Sequence, residues 1–159
     1  MSAVNHGEPS GSVYRERLSP SLWVLVSAAL CGPMAALVFS PIDTTVALII
    51  GALVGLGVVG ILVAGSPVVE VREGMLRAGR AAIEVDLVGP ATVTFDDEAR
   101  HARGSGLDPR SWHVIRGGID AVAVFPILDP DDPAPTWVIS TRTPDRLAAA
   151  VRRAQVATR

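Results

Sequence analysis

A single block of the chain, residues 18–69, carries almost no charge and constrains everything around it. Its 52 residues contain one charged side chain, that of Asp43. The whole chain has 159 residues, of which 49% are hydrophobic and only 19% charged, against roughly 25% charged in an ordinary soluble protein. A soluble domain of this size could not bury such a block and still present a polar surface to water. The block therefore predicts membrane-embedded structure.

A short turn at residues 40–43 divides this block into two apolar segments, at residues 22–39 and 45–64. Each segment has close to the roughly 20 residues that cross a bilayer core about 30 Å thick. Because Pro41 and Asp43 favour a turn and the connection is short, we expect an antiparallel hairpin of two transmembrane helices over residues 22–65. The alternative is that the first segment is a cleaved signal peptide, although its apolar run exceeds the usual length of about 7 to 15 residues.

Basic residues beside the segments predict how the hairpin is oriented. They are Arg15, Arg17, Arg72, Arg77 and Arg80. The first two precede the first segment, the other three follow the second, and the turn contains none. Since basic residues are retained inside the cell, the pattern predicts a multi-pass cell-membrane protein with both termini in the cytoplasm. Residues 1–21 are then a cytoplasmic tail, and Trp23 is an aromatic residue at the membrane interface.

Small residues recur at helical spacing on both segments. They are Ala28, Gly32 and Ala36 on the first segment and Ala47, Gly51 and Gly55 on the second. Small side chains let helix backbones approach closely in lipid, where packing rather than hydrophobicity joins helices. The two stripes predict that the hairpin packs against itself, and the alternative is that the same faces form a homodimer. Pro33 predicts a kink in the first helix.

The remaining residues, 66–159, have the composition of a separate cytoplasmic domain. Twelve arginines against thirteen acidic residues give this region a net charge of −1. A domain that binds nucleic acid carries a basic face, so the near-neutral charge argues against nucleic acid as a partner.

Turn signals and alternating hydrophobicity predict about seven strands in this region. The strands are expected at residues 68–72, 75–78, 83–87, 91–95, 112–116, 121–128 and 136–141, with a short helix at 96–103. A terminal helix follows, with Thr143 as N-cap, Pro144 in its first turn and an apolar face that includes Leu147 and Val151. The pattern predicts a small, mainly antiparallel α+β domain, which is either a pleckstrin-homology-like barrel or a generic sheet covered by one helix.

Three stretches of the sequence resemble a known family when they are taken together. They are residues 14–18 (YRERL), residues 69–79 and residues 137–142 (WVISTR). In this combination the chain, from Tyr14 to about Ala154, resembles an actinobacterial two-pass membrane-protein family, domain of unknown function 3093. The resemblance implies a membrane location, and it implies no activity, cofactor or catalytic residue.

Residues with reactive side chains form no recognisable catalytic or metal-binding motif. Cys31 is the only cysteine. The acidic run of Asp129, Asp131 and Asp132 lacks the central glycine of a calcium-binding loop. We therefore expect neither a metal nor a cofactor. The absence of charged residues inside both segments also argues against a transporter or pump.

Two classes of function remain open. The missing chemistry and the small-residue stripes favour a non-catalytic, membrane-anchored binding or scaffold protein, whose partners are the lipid bilayer and another protein. The alternative is an enzyme or lipid-modifying accessory that uses His101 or His113 as a base beside Ser105, Ser111 or Asp108. A deep pocket lined by a histidine would favour the enzyme, whereas a plugged barrel without a cleft would favour the binding protein.

The arginine asymmetry yields a topological prediction. Reporters fused at the N-terminus and after Arg159 should be active only in the cytoplasm, and a reporter inserted between Ser40 and Asp43 should be active only outside. Paired cytoplasmic and extracytoplasmic reporter enzymes at each position measure this directly. A cytoplasmic signal from the turn would contradict the predicted hairpin.

Overall fold

The structure, a computed structural model, describes residues 14–158, and predictions for residues 1–13 and for Arg159 lie outside this range. The described residues fall into two compact units. Residues 17–67 and 116–119 form the helical unit, and residues 14–16, 68–115 and 120–158 form the α+β unit.

The helical unit contains three helices, α1 (Leu22–Ala29), α2 (Cys31–Phe39) and α3 (Thr44–Ala64). The kink expected from Pro33 takes the form of a break at Leu30 between α1 and α2. Proline has no N–H group to donate to the carbonyl four residues earlier, so the hydrogen-bond ladder is interrupted at this point. The turn residue Asp43 caps α3, because its side chain accepts a hydrogen bond of 2.9 Å from the Val46 N–H.

Both apolar stretches, Leu22–Phe39 and Thr44–Ala64, are helical and are long and apolar enough to cross a membrane. Only 11% of each stretch is buried within the structure. Their side chains therefore do not form the core of the described chain.

Glycine contacts set the distance between α2 and α3. A Cβ atom placed on Gly51 would lie 2.7 Å from the carbonyl oxygen of Gly32 and 2.8 Å from the Cβ atom of Ala36. A Cβ atom on Gly32 would lie 2.9 Å from the carbonyl oxygen of Gly51. Real side chains do not tolerate such distances, so the two backbones approach as closely as they do because these positions are glycine.

The α+β unit contains eight strands in two four-stranded sheets. They are β1 (Tyr14–Arg17), β2 (Val68–Arg72), β3 (Met75–Ala78), β4 (Ala81–Glu84), β5 (Thr92–Phe95), β6 (Trp112–Val114), β7 (Ala121–Pro126) and β8 (Thr136–Ser140). The first sheet has the order β1-β2-β3-β4 and the second the order β5-β7-β8-β6. Two helices, α4 (Asp96–Ala102) and α5 (Pro144–Ala157), complete the unit.

The predicted antiparallel pairing is confirmed for most neighbouring strands. Strands β2–β3, β3–β4, β5–β7 and β7–β8 pair antiparallel, whereas β6 and β8 pair parallel, with Trp112 opposite Trp137. The hairpin predicted at Glu73 and Gly74 is confirmed, since both residues have positive φ angles, 52° and 71°, as a tight two-residue turn requires. The parallel β6–β8 pair is compatible with the predicted mainly antiparallel arrangement.

Two further predictions differ from the structure. Residues 14–17, which the sequence analysis placed in a tail over residues 1–21, form an edge strand of the first sheet. The strand predicted over residues 83–87 stops at Glu84, which is opposite Met75 at the end of the β3–β4 pairing, and a 3₁₀ turn, Val85–Leu87, follows. Strand β3 begins directly after the Glu73–Gly74 turn, so β4 has no partner strand beyond Glu84. The alternating pattern of residues 83–87 alone could not extend β4.

The terminal helix α5 packs on both sheets. Its apolar face, which includes Leu147 and Val151, is buried, and α5 contacts β2 in the first sheet as well as β5 and β7 in the second. The Gln155 side-chain amide donates hydrogen bonds of 2.7 Å to the carbonyl oxygens of both Val85 and Val88. These bonds satisfy carbonyl groups where β4 has ended, so α5 is held by polar contacts as well as by apolar burial.

The close approach of α2 and α3 yields a stability prediction. Gly51→Leu should lower the free energy of unfolding in detergent by about 1 to 3 kcal/mol, because the new side chain forces the helices apart. Gly57→Leu is the matched control on the same helix, since a Cβ atom there meets nothing within 4 Å. Thermal denaturation of both variants measures the difference, and equal stability would show that α2–α3 packing contributes nothing.

Candidate functional site

A polar cleft of about 600 Å³ lies on the α+β unit. Its lining, named here the arginine cleft, consists of Tyr14, Arg15, Glu16, Arg142, Thr143, Arg146 and Arg153. Four arginines against one glutamate give this lining a net charge of +3. The described residues of the α+β unit have eleven arginines and fourteen acidic residues, a net charge of −3, so the positive charge of the cleft contrasts with the unit as a whole.

Three elements bring the lining residues together. Strand β1 supplies Tyr14, Arg15 and Glu16 from the edge of the first sheet, and the loop between β8 and α5 supplies Arg142. Helix α5 supplies two arginines seven residues apart, which is about two helical turns, so both lie on one face of the helix. The apolar face of α5 is buried on the sheets, and its arginine face is left beside β1.

The carboxylate of Glu16 is fully engaged by neighbouring donors. Its Oε2 atom accepts hydrogen bonds from the Tyr14 hydroxyl at 2.6 Å and the Thr141 hydroxyl at 2.5 Å. Its Oε1 atom accepts a hydrogen bond of 3.1 Å from the Arg142 backbone N–H and forms an ion pair of 3.5 Å with the Arg142 guanidinium. The Glu16 side chain is only 14% exposed, so this anion is committed to the fold and has little capacity for other cations.

Tyr14 is held as a neutral phenol. Its hydroxyl lies 3.0 Å from the hydroxyl of Thr143, and because the Tyr14 proton is donated to Glu16, Thr143 is the donor in this pair. Burial, followed by the hydrogen bond to Glu16, raises the pKa of the Tyr14 phenol above its ordinary value of 10.0. The phenol therefore contributes a fixed hydrogen-bond network and no charge near neutral pH.

Three arginines of the cleft have no counter-charge. Arg15, Arg146 and Arg153 are exposed and make no hydrogen bond or ion pair with any other residue in the described range. The one acidic group that lines the cleft is occupied by Arg142, Tyr14 and Thr141, so it does not neutralise them. An unpaired guanidinium presents five N–H donors in a planar arrangement that suits oxyanions.

The residues predicted to pack the hairpin mostly meet in the structure. Gly32, Ala36, Gly51 and Gly55 contact one another across α2 and α3. They and Ala47 line an apolar groove of about 890 Å³ along the helical unit. Ala28 is half-buried and lies outside the groove, where Ala29 takes its place.

The residues predicted to set topology lie in different surroundings. The Arg17 guanidinium donates hydrogen bonds to the carbonyl oxygens of Val63 at 2.9 Å and Ala64 at 3.2 Å, where the last carbonyls of α3 lack helical partners. Its positive charge also suits the negative end of the helix dipole. Trp23 is 82% exposed on α1.

The other predicted arginines lie on the first sheet of the α+β unit and do not join the cleft. Arg72 forms an exposed ion pair with Glu73 at 3.1 Å, and Arg77 is exposed on β3. The Arg80 guanidinium lies 5.3 Å from the ring centre of Trp112, a cation–π contact.

The histidines considered as catalytic bases lie elsewhere. His101 Nδ1 is 2.8 Å from the Ser105 hydroxyl, and His113 Nδ1 is 3.2 Å from the Ser111 carbonyl oxygen. Neither histidine lines the arginine cleft or the apolar groove. No carboxylate is hydrogen-bonded to either ring among residues 14–158, so neither histidine has the third group that orients a catalytic base.

No group of three or more His, Cys, Asp or Glu side chains within residues 14–158 is placed to hold a metal ion. The acidic run forms a turn instead. Asp129 accepts a hydrogen bond of 3.0 Å from the Asp131 N–H, and Asp132 accepts one of 2.7 Å from the Ala134 N–H. The carboxylates thus organise their own loop.

Comparison with known proteins adds one match. The model of a family described as Protein of unknown function (DUF3093) matches residues 13–151. This range contains β1, both apolar stretches, all remaining strands and the first half of α5. No curated protein and no solved structure matches the chain.

The Glu16 network yields a prediction that a single chromophore reports, because Tyr14 is the only tyrosine. Glu16→Gln should lower the pKa of Tyr14, since it removes the carboxylate that raises it while burial remains. Absorbance titration near 295 nm measures the shift, with circular dichroism marking the pH range in which the protein stays folded.

Glu84→Gln, an exposed position on β4, is the control and should leave the titration unchanged. A raised pKa stabilises the folded state fully below the unfolded value, and this stability is lost as the pH rises through the folded value. Stability should therefore fall at alkaline pH, beginning above pH 10. Identical Tyr14 titration in wild type and Glu16→Gln would contradict the network.

Proposed function

This chain belongs to the family described as Protein of unknown function (DUF3093), and we propose that it is a non-catalytic, membrane-anchored binding protein. The two apolar stretches are the anchor, which crosses the bilayer twice with both termini in the cytoplasm. The α+β unit is the binding module, and the arginine cleft is its binding site.

The observation that carries the anchor is the exposure of the apolar helices. Only 11% of each stretch is buried, and side chains such as Leu48, Leu56 and Ile61 are largely exposed. Each large aliphatic side chain left in water forfeits about 1.5 to 3 kcal/mol of burial free energy. Lipid supplies the missing apolar surroundings, so a bilayer is the environment that suits these helices.

The pairing of β1 with β2 supports an even number of membrane crossings. Strand β1 precedes the first apolar stretch and β2 follows the second, yet they are neighbours in one sheet. This pairing supports a hairpin that ends on the side of the membrane where it began. This pairing also argues against a cleaved signal peptide, because cleavage within or after α1 would separate β1 from the rest of the chain.

The arginine cleft supports binding as the role of the α+β unit. Its three unpaired guanidinium groups contribute nothing to the internal hydrogen bonding of the described residues, and like charges so close together repel one another. Surfaces of this kind are stabilised by a ligand of opposite charge. Neither histidine offers comparable support for an enzyme, because both lie outside the clefts described above.

Site-specific photocrosslinking in native membranes tests both halves of the proposal on the full-length protein. Photoreactive amino acids at Leu37 and Leu53, which are exposed on the apolar helices, should label lipid acyl chains. One at Asp145, an exposed position in the first turn of α5, should label a non-lipid partner or a headgroup. One at Glu84, exposed on β4, is the control and should label neither.

The products, separated by mass, decide between the alternatives. Absence of acyl-chain labelling from Leu37 and Leu53 would contradict the membrane anchor. A specific protein adduct from the helices, with none from Asp145, would move recognition from the α+β unit to the hairpin.

A further inference from the structure

We infer that the arginine cleft binds a phosphate-bearing anion. This inference rests on the proposed role of the α+β unit as a binding module and names the class of ligand for its site.

The positive charge of the cleft favours a ligand with more than one negative charge. With Arg142 paired to Glu16, none of the other three cleft arginines, Arg15, Arg146 and Arg153, forms an ion pair within residues 14–158. A single carboxylate would leave two of them unmatched, whereas a phosphate monoester carries about −1.5 to −2 near neutral pH and a diphosphate carries more. Phosphate chemistry therefore fits the charge better than a simple carboxylic acid does.

The geometry of the hydrogen-bond donors also favours phosphate. Guanidinium groups bind phosphate oxygens through two parallel N–H bonds, and the three arginines without an ion pair in the described range line the cleft from two elements, β1 and α5. A tetrahedral anion can accept donors from several directions, as this arrangement provides. Glu16 does not compete for these arginines, because its two oxygens are held by Tyr14, Thr141 and Arg142.

Glu16 is accordingly a positioning residue of the cleft. It holds Tyr14 on β1 and Arg142 in the loop before α5, and so it ties together the two arginine-bearing elements. The Thr143 hydroxyl is held in the same network by Tyr14.

Size and overall charge exclude a long polyanion. The volume of about 600 Å³ lies within the range of roughly 300 to 1,000 Å³ typical of small-molecule sites. The described residues of the α+β unit carry a net charge of −3, which does not suit a nucleic acid. The ligand is therefore a compact phosphate group, which either a soluble metabolite or the headgroup of an anionic lipid could present.

The sole tyrosine provides a probe inside the cleft. Replacing it biosynthetically with 3-fluorotyrosine gives the full-length protein a single ¹⁹F resonance, from position 14. The protein is placed in phosphatidylcholine nanodiscs and titrated with inorganic pyrophosphate. In a second arm, it is placed in nanodiscs that also contain phosphatidic acid, without pyrophosphate.

Neighbouring arginines on α5 provide a matched pair of variants. Arg153→Gln removes a guanidinium that lines the cleft, and Arg152→Gln removes an exposed one that does not. Both change the net charge equally. We expect Arg153→Gln to weaken binding about tenfold, the usual effect of losing one charge-assisted hydrogen bond. Arg152→Gln should change it less than about twofold, because this exposed charge does not line the cleft and is screened by solvent.

Each outcome either supports or overturns phosphate binding at the arginine cleft. A shift of the resonance with pyrophosphate, weakened by Arg153→Gln alone, supports a soluble phosphate ligand, and a shift only with phosphatidic acid, with the same pattern of variants, supports a lipid headgroup. The inference is overturned if neither probe moves the resonance, or if both variants weaken binding equally, which would indicate diffuse surface charge. Membrane anchoring is measured separately by acyl-chain crosslinking, so a failed titration would leave that half of the proposed function intact.

Discussion

The buried carboxylate of Glu16 joins the two ends of the described chain. It lies on β1, ahead of both apolar helices, and accepts hydrogen bonds from Thr141 and Arg142 at the far end of the α+β unit. A negative charge with so little exposure is stable only where donors surround it, so these contacts must form together. Because Glu16 is occupied by these contacts, it does not neutralise the other cleft arginines. The Glu16 contacts thus both hold the α+β unit together and determine the charge of the cleft.

The helical unit depends on a different kind of interaction. Among the described residues, no ion pair joins its apolar helices. Close contact of the two backbones at Gly32 and Gly51 joins them instead. Pro33 interrupts the first stretch near this contact, so the same short region combines a broken helix with the closest packing. The ends of the unit are polar by contrast, and Arg17 there satisfies carbonyl groups that α3 cannot satisfy itself.

Patterns within short stretches of sequence predicted the helices and turns that contacts within the same stretches stabilise. The apolar helices follow from composition, the β2–β3 turn from Glu73 and Gly74, and the terminal helix from Pro144 and its apolar face. Strand β1 and the parallel β6–β8 pair could not be predicted, because their partners lie far away in the sequence. The cleft was missed for the same reason. Arg15 was assigned a topological role, and Arg146 and Arg153 resemble the solvent-exposed face of any amphipathic helix until β1 is placed beside them.

The distance in sequence between Glu16 and its partners also orders the events of biosynthesis. Thr141 is added 125 residues after Glu16, which at about 5 to 20 residues per second takes roughly 6 to 25 s on the ribosome. Both apolar helices are synthesised within this interval, while the first strand still lacks the donors that surround its carboxylate. Closure of the α+β unit therefore follows synthesis of both apolar helices, and a nascent chain stalled before Thr141 carries an incomplete edge strand that is open to chaperones and proteases.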